Sequence, residues 1–174
     1  MKKTLPGLLF AALLLVSCQN TPKQTDPEST EPRSGGKPPT KTSCYELRFG
    51  PDLTAIELTV VGDEVSGFMA WEPDQKDGAR GMFKGQKVGD EITAVFDYMI
   101  EGSIQSEEVV FKMEGDKLLQ GRGEMDDNNG QLTFKDKSKL DWEETFSLTD
   151  CANIKESIAR AVDMYGMIQK QKGN

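Results

Sequence analysis

The chain has 174 residues, a formal net charge of −8, three cysteines and no histidine. This length suits one domain with flanking segments rather than two domains. The missing histidine excludes serine–histidine catalysis and imidazole metal sites. From Cys44 onward there are 15 basic and 26 acidic residues, and so acidic a domain is repelled by nucleic-acid phosphates and anionic headgroups. The sequence therefore predicts neither a nucleic-acid partner nor a peripheral lipid-binding face.

The N-terminal segment has the pattern of an export signal. Two lysines precede an apolar run over residues 8–16, which is too short to span a bilayer because a spanning helix needs roughly 20 apolar residues. The run ends in the sequence LVSC at positions 15–18, which resembles a bacterial lipobox. The resemblance implies that residues 1–17 are removed as a signal peptide and that Cys18 carries the lipid. An ordinary secretory signal with an incidental cysteine is the alternative.

A polar segment separates this signal from the remainder of the chain. Residues 19–43 contain no aliphatic, aromatic or sulfur-containing side chain and hold five of the eight prolines. Such a segment cannot offset the entropy of ordering by burying apolar surface. The sequence predicts a disordered, proline-rich tether over residues 18–43, with the lipidated Cys18 at its start.

The resemblance to bacterial lipoproteins also implies a location. The protein would be lipid-anchored in the cell envelope, with the membrane as a partner through its anchor. Gln19 follows Cys18, in place of the aspartate that retains enterobacterial lipoproteins at the inner membrane. This favours the outer membrane over the inner one, with the domain facing the periplasm or the cell surface.

The two remaining cysteines bracket the prospective domain. If Cys18 is lipidated, Cys44 and Cys151 are left, and in an oxidising compartment we expect them to form a disulfide. Two buried free thiols are the alternative. A catalytic thiol is disfavoured because the chain has no histidine to activate it.

Three Gly-Asp pairs give the domain a regular spacing. They occupy positions 62–63, 89–90 and 115–116, at intervals of 27 and 26 residues. Each pair is a tight-turn signal between segments that favour strands. If each forms a hairpin, the three turns lie together at one end of the sheet, because every second turn of a meander falls at the same end.

The segments around these turns predict nine strands. Alternation of apolar and polar residues is clearest over residues 92–98 and 109–113, which indicates one buried and one wet face. One antiparallel sheet of this size has to curl and close on itself. The predicted fold class is all-β, an antiparallel meander β-barrel of about eight to nine strands. The predicted strands are 44–49, 54–61, 64–72, 79–87, 90–100, 103–114, 117–125, 131–136 and 140–149.

The C-terminal segment has a helical period instead. The sequence predicts an α-helix over residues 153–170, with Asn153 as its N-cap. Its apolar stripe is expected to pack on the outside of the barrel, with a partner protein or the membrane as the alternative surface. The stripe consists of Ile154, Ile158, Ala161, Val162, Tyr165 and Ile168.

A meander of about eight strands followed by a packed helix resembles the calycin superfamily, the lipocalin-like barrels. The resemblance is one of architecture and implies that residues 44–174 form a single barrel domain with its C-terminal helix. The first predicted strand, CYELRF at positions 44–49, lacks the Gly-x-Trp signature of lipocalins.

Two acidic features of the sequence are candidate sites. The pairs Glu107-Glu108 and Glu143-Glu144 are interpreted as solvated charges, because adjacent strand residues point to opposite faces. Either Glu108 or Glu144 would line a cavity if the inward assignment were wrong by one residue. The segment DDNNG at positions 126–130 is interpreted as a hairpin loop rather than a calcium site. No metal and no cofactor are predicted.

Two functions remain for the domain, and neither is enzymatic. In the first, the barrel binds an apolar small molecule at its open end. In the second, its interior is filled, and the protein is a structural or protein-interaction module of the cell envelope. The candidate pocket residues are Trp71, Phe83, Phe96, Tyr98, Phe111 and Trp142.

Overall fold

The structure, a computed structural model, describes residues 38–173. Cys18, the predicted signal peptide and residues 18–37 of the predicted tether lie outside the described residues. The strands are β1 (Thr40–Phe49), β2 (Asp52–Val61), β3 (Glu64–Glu72), β4 (Ala79–Val88), β5 (Glu91–Ile100), β6 (Ser103–Glu114), β7 (Lys117–Arg122), β8 (Met125–Asn128), β9 (Gln131–Phe134) and β10 (Asp141–Thr149). A short 3-10 helix spans Lys137–Lys139, and the helix α1 spans Cys151–Lys172.

Eight of the strands form a closed antiparallel barrel. Strands β1 to β7 follow one another around the wall in chain order, and β10 completes it by pairing with both β7 and β1. Since every barrel strand has two neighbours, the barrel has no open edge. This confirms the predicted all-β meander barrel and is consistent with a calycin-like fold.

The three Gly-Asp turns lie together at one end of this barrel, as predicted. The glycines of the three turns have φ between 60° and 64°, a region that glycine enters without steric cost. The main-chain carbonyls of Asp63, Asp90 and Asp116 each accept a hydrogen bond of 2.8–2.9 Å from an adjacent barrel strand. These bonds tie the turns to the wall and close this end, which we call the turn end.

Large side chains fill the barrel interior from its middle to the turn end. The rings of Phe83 and Phe111 lie 5.7 Å apart between centroids, and a fully buried cluster surrounds them. The opposite end of the barrel, the open end, lacks such a filling. The members of the cluster that are at most 2% exposed include Tyr45, Leu58, Phe83, Ile92, Phe111, Leu118 and Phe146.

The strand predicted over residues 117–125 is in fact two strands. Strand β7 ends at Arg122, and β8 and β9 form a separate hairpin. It is joined to β6 of the barrel wall by a parallel bridge between Glu107 and Leu132 and by a hydrogen bond of 3.1 Å from the Phe134 amide to the Glu108 carboxylate. The predicted strand 131–136 is therefore not a wall strand. Leu140 packs against Gly121 and Gly123, in the space that a Cβ atom at either position would need. At this contact the chain leaves the wall after β7 and returns to it at β10.

The first strand begins earlier than the sequence predicted. Strand β1 starts at Thr40, so residues 40–43 of the predicted tether are part of the sheet, where Thr40 pairs with Val61. Main-chain hydrogen bonds require no apolar side chain, and the Thr42 and Thr59 hydroxyls add a hydrogen bond of 2.9 Å. Apolar composition alone therefore missed this part of the strand.

The predicted helix is confirmed and packs on the outside of the barrel. It begins two residues before the predicted start because Asp150, not Asn153, is the N-cap, and the Asp150 carboxylate accepts a hydrogen bond of 2.9 Å from the Ala152 amide. Val162 of the predicted stripe is 44% exposed, and Ser157 is buried instead. The buried apolar positions of the helix are Ile154, Ile158, Ala161 and Ile168. Over residues 38–173, no helix has the length and apolar character needed to cross a membrane.

Glu72 fixes the helix to the barrel by a polar cluster. Its carboxylate accepts hydrogen bonds of 2.7–2.9 Å from Arg80 of β4 and from Ser157 and Arg160 of α1. Burial raises the pKa of Glu72, but the hydrogen bonds from these three residues outweigh it and lower that pKa to about 2. The carboxylate is therefore ionised at neutral pH and couples β3, β4 and α1.

A disulfide makes the second link between helix and barrel. Cys44 of β1 and Cys151, the first residue of α1, form the bond, with 5.2 Å between their Cα atoms and a sequence separation of 107. This confirms the predicted pairing of the two cysteines.

Candidate ligand-binding site

A cavity of about 410 Å³ occupies the open end of the barrel. All eight wall strands contribute side chains to it. Its volume lies in the lower part of the range of about 300–1,000 Å³ for small-molecule pockets. The cavity therefore suits a ligand with one ring system or one short chain.

One wall of the cavity is mainly apolar, although β2, which lies between β1 and β3, adds Asp52 and Thr54 to it. Strands β1, β3, β4 and β5 supply it, and the rings of Phe96 and Tyr98 stack there with centroids 4.7 Å apart. Phe49 and Trp71 lie at the rim, where they are 83% and 42% exposed. The apolar lining residues are Leu47, Phe49, Met69, Trp71, Ala79, Phe96 and Ile100.

The opposite wall is polar. It is formed by Glu107 of β6, Gln120 and Arg122 of β7, and Glu144 of β10. Three neighbouring strands thus place carboxylate, amide and guanidinium groups opposite the aromatic wall. The cavity is amphipathic, so it can hold an apolar body on one side and a polar group on the other.

Glu107 is the residue of the polar wall whose pKa is shifted by its surroundings. Burial raises the pKa of the Glu107 carboxyl, against the hydrogen bond from Tyr98 and the charge of Arg122, which lower it. The Tyr98 hydroxyl lies 3.3 Å from the Glu107 carboxylate and 2.9 Å from the amide oxygen of Gln105. Burial, with the charge and the hydrogen bond of Glu107, raises the pKa of Tyr98 to about 12. Tyr98 therefore remains a neutral hydrogen-bonding group in the site.

Arg122 already has a partner in this wall. Its guanidinium donates a hydrogen bond of 2.7 Å to the Glu144 carboxylate. The two side chains are 53% and 38% exposed, so their ion pair lies near the mouth of the cavity and in contact with solvent. A negatively charged ligand group would have to compete with Glu144 for this cation.

Gln120 is the polar residue of this wall that lacks a partner. It is 3% exposed, and the side-chain hydrogen bonds found within residues 38–173 include none from its amide. Within the same residues, every side-chain nitrogen or oxygen that is fully enclosed has a hydrogen-bond partner. The Gln120 amide must therefore reach the cavity itself, where it is free to bond to a ligand or to water.

Three of the six predicted pocket residues line the cavity: Trp71, Phe96 and Tyr98. Phe83 and Phe111 are fully buried in the packed part of the barrel instead. Trp142 is half-buried and does not line the cavity, because the pairing of β10 with β7 is irregular between Asp141 and Glu144.

The interpretation of the glutamate pairs as solvated charges was wrong for Glu107, whereas Glu144 lines the cavity, the stated alternative, with a side chain that is still 38% exposed. Glu107 and Glu144 both face the cavity, whereas Glu108 binds Lys137 at 2.8 Å on the outside. The signal was present in the alternation, since Glu107 has the same parity as Val109, which is buried in the barrel core. Gln120 likewise follows Leu118 by two residues, but sequence analysis did not identify it.

The candidate calcium segment is a hairpin turn. Asp127 accepts a hydrogen bond of 2.7 Å from the Gly130 amide between β8 and β9. Within the part of the chain that the structure describes, no group of three or more Cys, Asp and Glu side chains has an arrangement that could hold a metal ion.

Comparison of the chain with protein-family models, with curated proteins and with solved structures finds no match.

Proposed function

We propose that this protein is a lipid-anchored protein of the bacterial cell envelope whose barrel binds a small molecule with an apolar body. The proposal assigns binding rather than catalysis to the cavity. It rests above all on one observation, the amphipathic cavity of about 410 Å³ at the open end. A barrel with a filled interior, acting as a protein-interaction module, is the alternative that the experiments below discriminate.

The aromatic wall supports the binding of an apolar body. Phe49 and Trp71 supply the most exposed apolar surface of the cavity, at 83% and 42% exposure. Met69, Ala79 and Phe96 border the cavity deeper in the barrel and are at most 7% exposed. Apolar area removed from water contributes about 25 cal/mol per Å². A ligand with a phenyl ring or a short alkyl chain would cover this wall and displace water from it.

The proposed anchor depends on residues outside the described range. The LVSC sequence ending at Cys18 and the polar, proline-rich segment after it support lipidation and a long tether. A single acyl chain gives only marginal membrane binding, whereas the multiply acylated cysteine of bacterial lipoproteins gives stable anchoring. The proposed location is the outer membrane, with the barrel in the periplasm or at the cell surface.

Blocking the cavity tests the binding proposal. The neutral probe 3-phenylpropan-1-ol has a ring and a short chain of suitable size, and we expect it to bind the full-length protein in dodecyl maltoside. Ala79→Trp places an indole inside the cavity and should weaken this binding at least about tenfold, because the ligand then loses its apolar wall. Isothermal titration calorimetry against a detergent blank measures the affinity.

The matched control is Val88→Trp, at the other end of the same strand, where the side chain is 80% exposed. This variant should bind the probe like the unmodified protein. Thr54→Trp is a second blocking variant if Ala79→Trp has lost the circular dichroism of the fold. Absence of binding to the unmodified protein would favour the interaction module instead.

Removing the proposed lipid site tests the anchor. We expect Cys18→Ser to move the protein from the membrane fraction to the soluble fraction of its host, because the covalent lipid is its proposed membrane attachment. Immunoblotting of the two fractions after carbonate washing measures this. The protein would not be a lipoprotein if both forms partition alike and neither incorporates labelled palmitate.

A further inference from the structure

The charges of the cavity indicate which polar group its ligand carries. Asp52, Glu107 and Glu144 contribute three carboxylates to the lining, and Arg122 contributes the one guanidinium found there among the described residues. That guanidinium is already bonded to Glu144 at 2.7 Å. The lining therefore holds more negative than positive charge, and its cation is engaged.

A carboxylate ligand would find no uncommitted cation among the described lining residues of this cavity. It would approach Glu107 and Glu144 with a charge of the same sign, and like charges in a partly desolvated site repel strongly. To bind Arg122 it would also have to displace Glu144. Anionic amphiphiles such as fatty acids are thus disfavoured by the polar wall.

A positively charged group would complete the same wall. A primary ammonium has three hydrogen-bond donors. The Glu107 carboxylate can accept one of these donors, and the amide oxygen of Gln120, a residue that is 3% exposed, is a further acceptor in the same lining. Burial raises the pKa of the Glu107 carboxyl despite the hydrogen bond from Tyr98 and the charge of Arg122, so a further positive charge beside it would be favourable.

We propose that the ligand of the cavity is a small amphipathic amine, with its ammonium group at Glu107 and its apolar body against Met69, Trp71 and Phe96. This inference rests on the proposed function, since it specifies the ligand of the same cavity. The open end of the barrel would thereby distinguish amines from acids of equal carbon skeleton.

Three probes that share one carbon skeleton test the inference. They are 3-phenylpropylamine, 3-phenylpropan-1-ol and 3-phenylpropionate, which at pH 7 carry a positive, a zero and a negative charge. We expect the amine to bind the full-length protein at least about tenfold more tightly than the acid, the scale of one hydrogen bond between charged groups. Isothermal titration calorimetry in dodecyl maltoside measures all three affinities.

The variant Glu107→Gln tests whether Glu107 causes the preference for the amine. It retains the shape and hydrogen-bonding capacity of the side chain but removes its charge, so the affinity for the amine should fall about tenfold while that for the alcohol is unchanged. Glu143→Gln is the matched control, because it removes the same charge from an exposed position on β10. Equal losses in the two variants would mean that the amine responds only to the overall charge and would overturn the inference.

The failures of the inference and of the proposed function are distinguishable. If the acid binds the unmodified protein as tightly as the amine does, the inference is wrong while small-molecule binding stands. If none of the three probes binds, the cavity is not a binding site for such molecules and both proposals fail. The comparison of probes on the unmodified protein does not depend on whether a variant folds.

Discussion

Gly67 of β3 lies where a side chain cannot be accommodated. A Cβ atom at this position would be 2.1 Å from the Glu57 carbonyl oxygen and 2.3 Å from the Phe83 ring. Both neighbours are in the wall or in the packed interior, so neither can move without disturbing the barrel. We expect Gly67→Ala to lower the free energy of unfolding by about 1–3 kcal/mol, the usual cost of overpacking a core. Urea unfolding followed by circular dichroism measures this loss.

Gly166 in α1 provides the matched control for the same change. A Cβ atom there has no neighbouring atom within 4 Å, and φ is not in the left-handed region. In a helix, alanine is more favourable than glycine by about 0.5–1 kcal/mol. We therefore expect Gly166→Ala to raise the free energy of unfolding by that amount. If Gly67→Ala were as harmless as Gly166→Ala, the close packing of Phe83 against β3 would be contradicted.

Individual inward positions were predictable wherever strand pairing is regular. The alternation over residues 92–98 correctly placed Phe96 and Tyr98 inside the barrel, because successive strand residues point to opposite faces. It failed for Trp142, where the pairing of β10 is irregular. It also cannot tell whether an inward residue meets packed neighbours or open space, which is why Phe83 was predicted for the pocket but belongs to the filled core.

Among the elements, α1 is attached to the barrel by the polar contacts of Glu72 and by an ion pair of 3.0 Å between Lys172 and Asp97 of β5. The Glu72 side chain is 14% exposed and holds Arg80 and Arg160 at 2.9 and 2.7 Å. In Glu72→Gln the two guanidinium groups lose their counterion, and hydrogen bonds to charged groups contribute about 1.5–3 kcal/mol. We expect this variant to lower the free energy of unfolding by about 1–3 kcal/mol at pH 7. Urea unfolding measures the difference.

The same contribution should depend on pH in a defined direction. The pKa of Glu72 is about 2 in the folded protein, below its ordinary value of 4.5, so the unfolded chain binds the proton more readily. The stabilisation is therefore complete above pH 4.5 and is lost as the pH falls through about 2. The difference between the unmodified protein and Glu72→Gln should shrink over this range. Asp163→Asn, at an exposed position on α1, should show no such convergence.

Local sequence signals predicted most of the elements but not their irregular parts. The Gly-Asp turns and the helical period act within a few residues, so hairpins β2–β3, β4–β5 and β6–β7 and the helix were all identified. The hairpin β8–β9 is short and is joined to the wall by a parallel bridge at Glu107 and a hydrogen bond from Phe134 to Glu108. Because this placement depends on contacts distant in sequence, the meander pattern wrongly assigned residues 131–136 to the wall.

In the whole molecule, the two ends of the barrel differ for a topological reason. Two-residue Gly-Asp turns bring hairpin strands together tightly, and the interior beneath them is filled. At the other end the connections are of unequal length, from the two residues between β1 and β2 to the departure of the chain after Arg122. The cavity lies at this end. The repeated hairpin pattern in the sequence therefore predicts a closed barrel. The position of the cavity, in contrast, depends on the end of the barrel at which the long connections lie.

The disulfide constrains the whole domain, since Cys44 and Cys151 are separated by 107 residues. Cross-linking a loop of about 100 residues stabilises a protein by up to about 4.7 kcal/mol in the chain-entropy model. We expect the double variant Cys44→Ala, Cys151→Ala to lose about 2–5 kcal/mol of unfolding free energy in urea.

This double variant should still bind 3-phenylpropan-1-ol below its unfolding transition, because β10 and β1 remain paired by main-chain hydrogen bonds and the cavity contains neither cysteine. Cys18→Ser, which leaves the disulfide intact, should unfold like the unmodified protein. Loss of binding by the folded double variant would instead mean that the disulfide shapes the open end of the barrel.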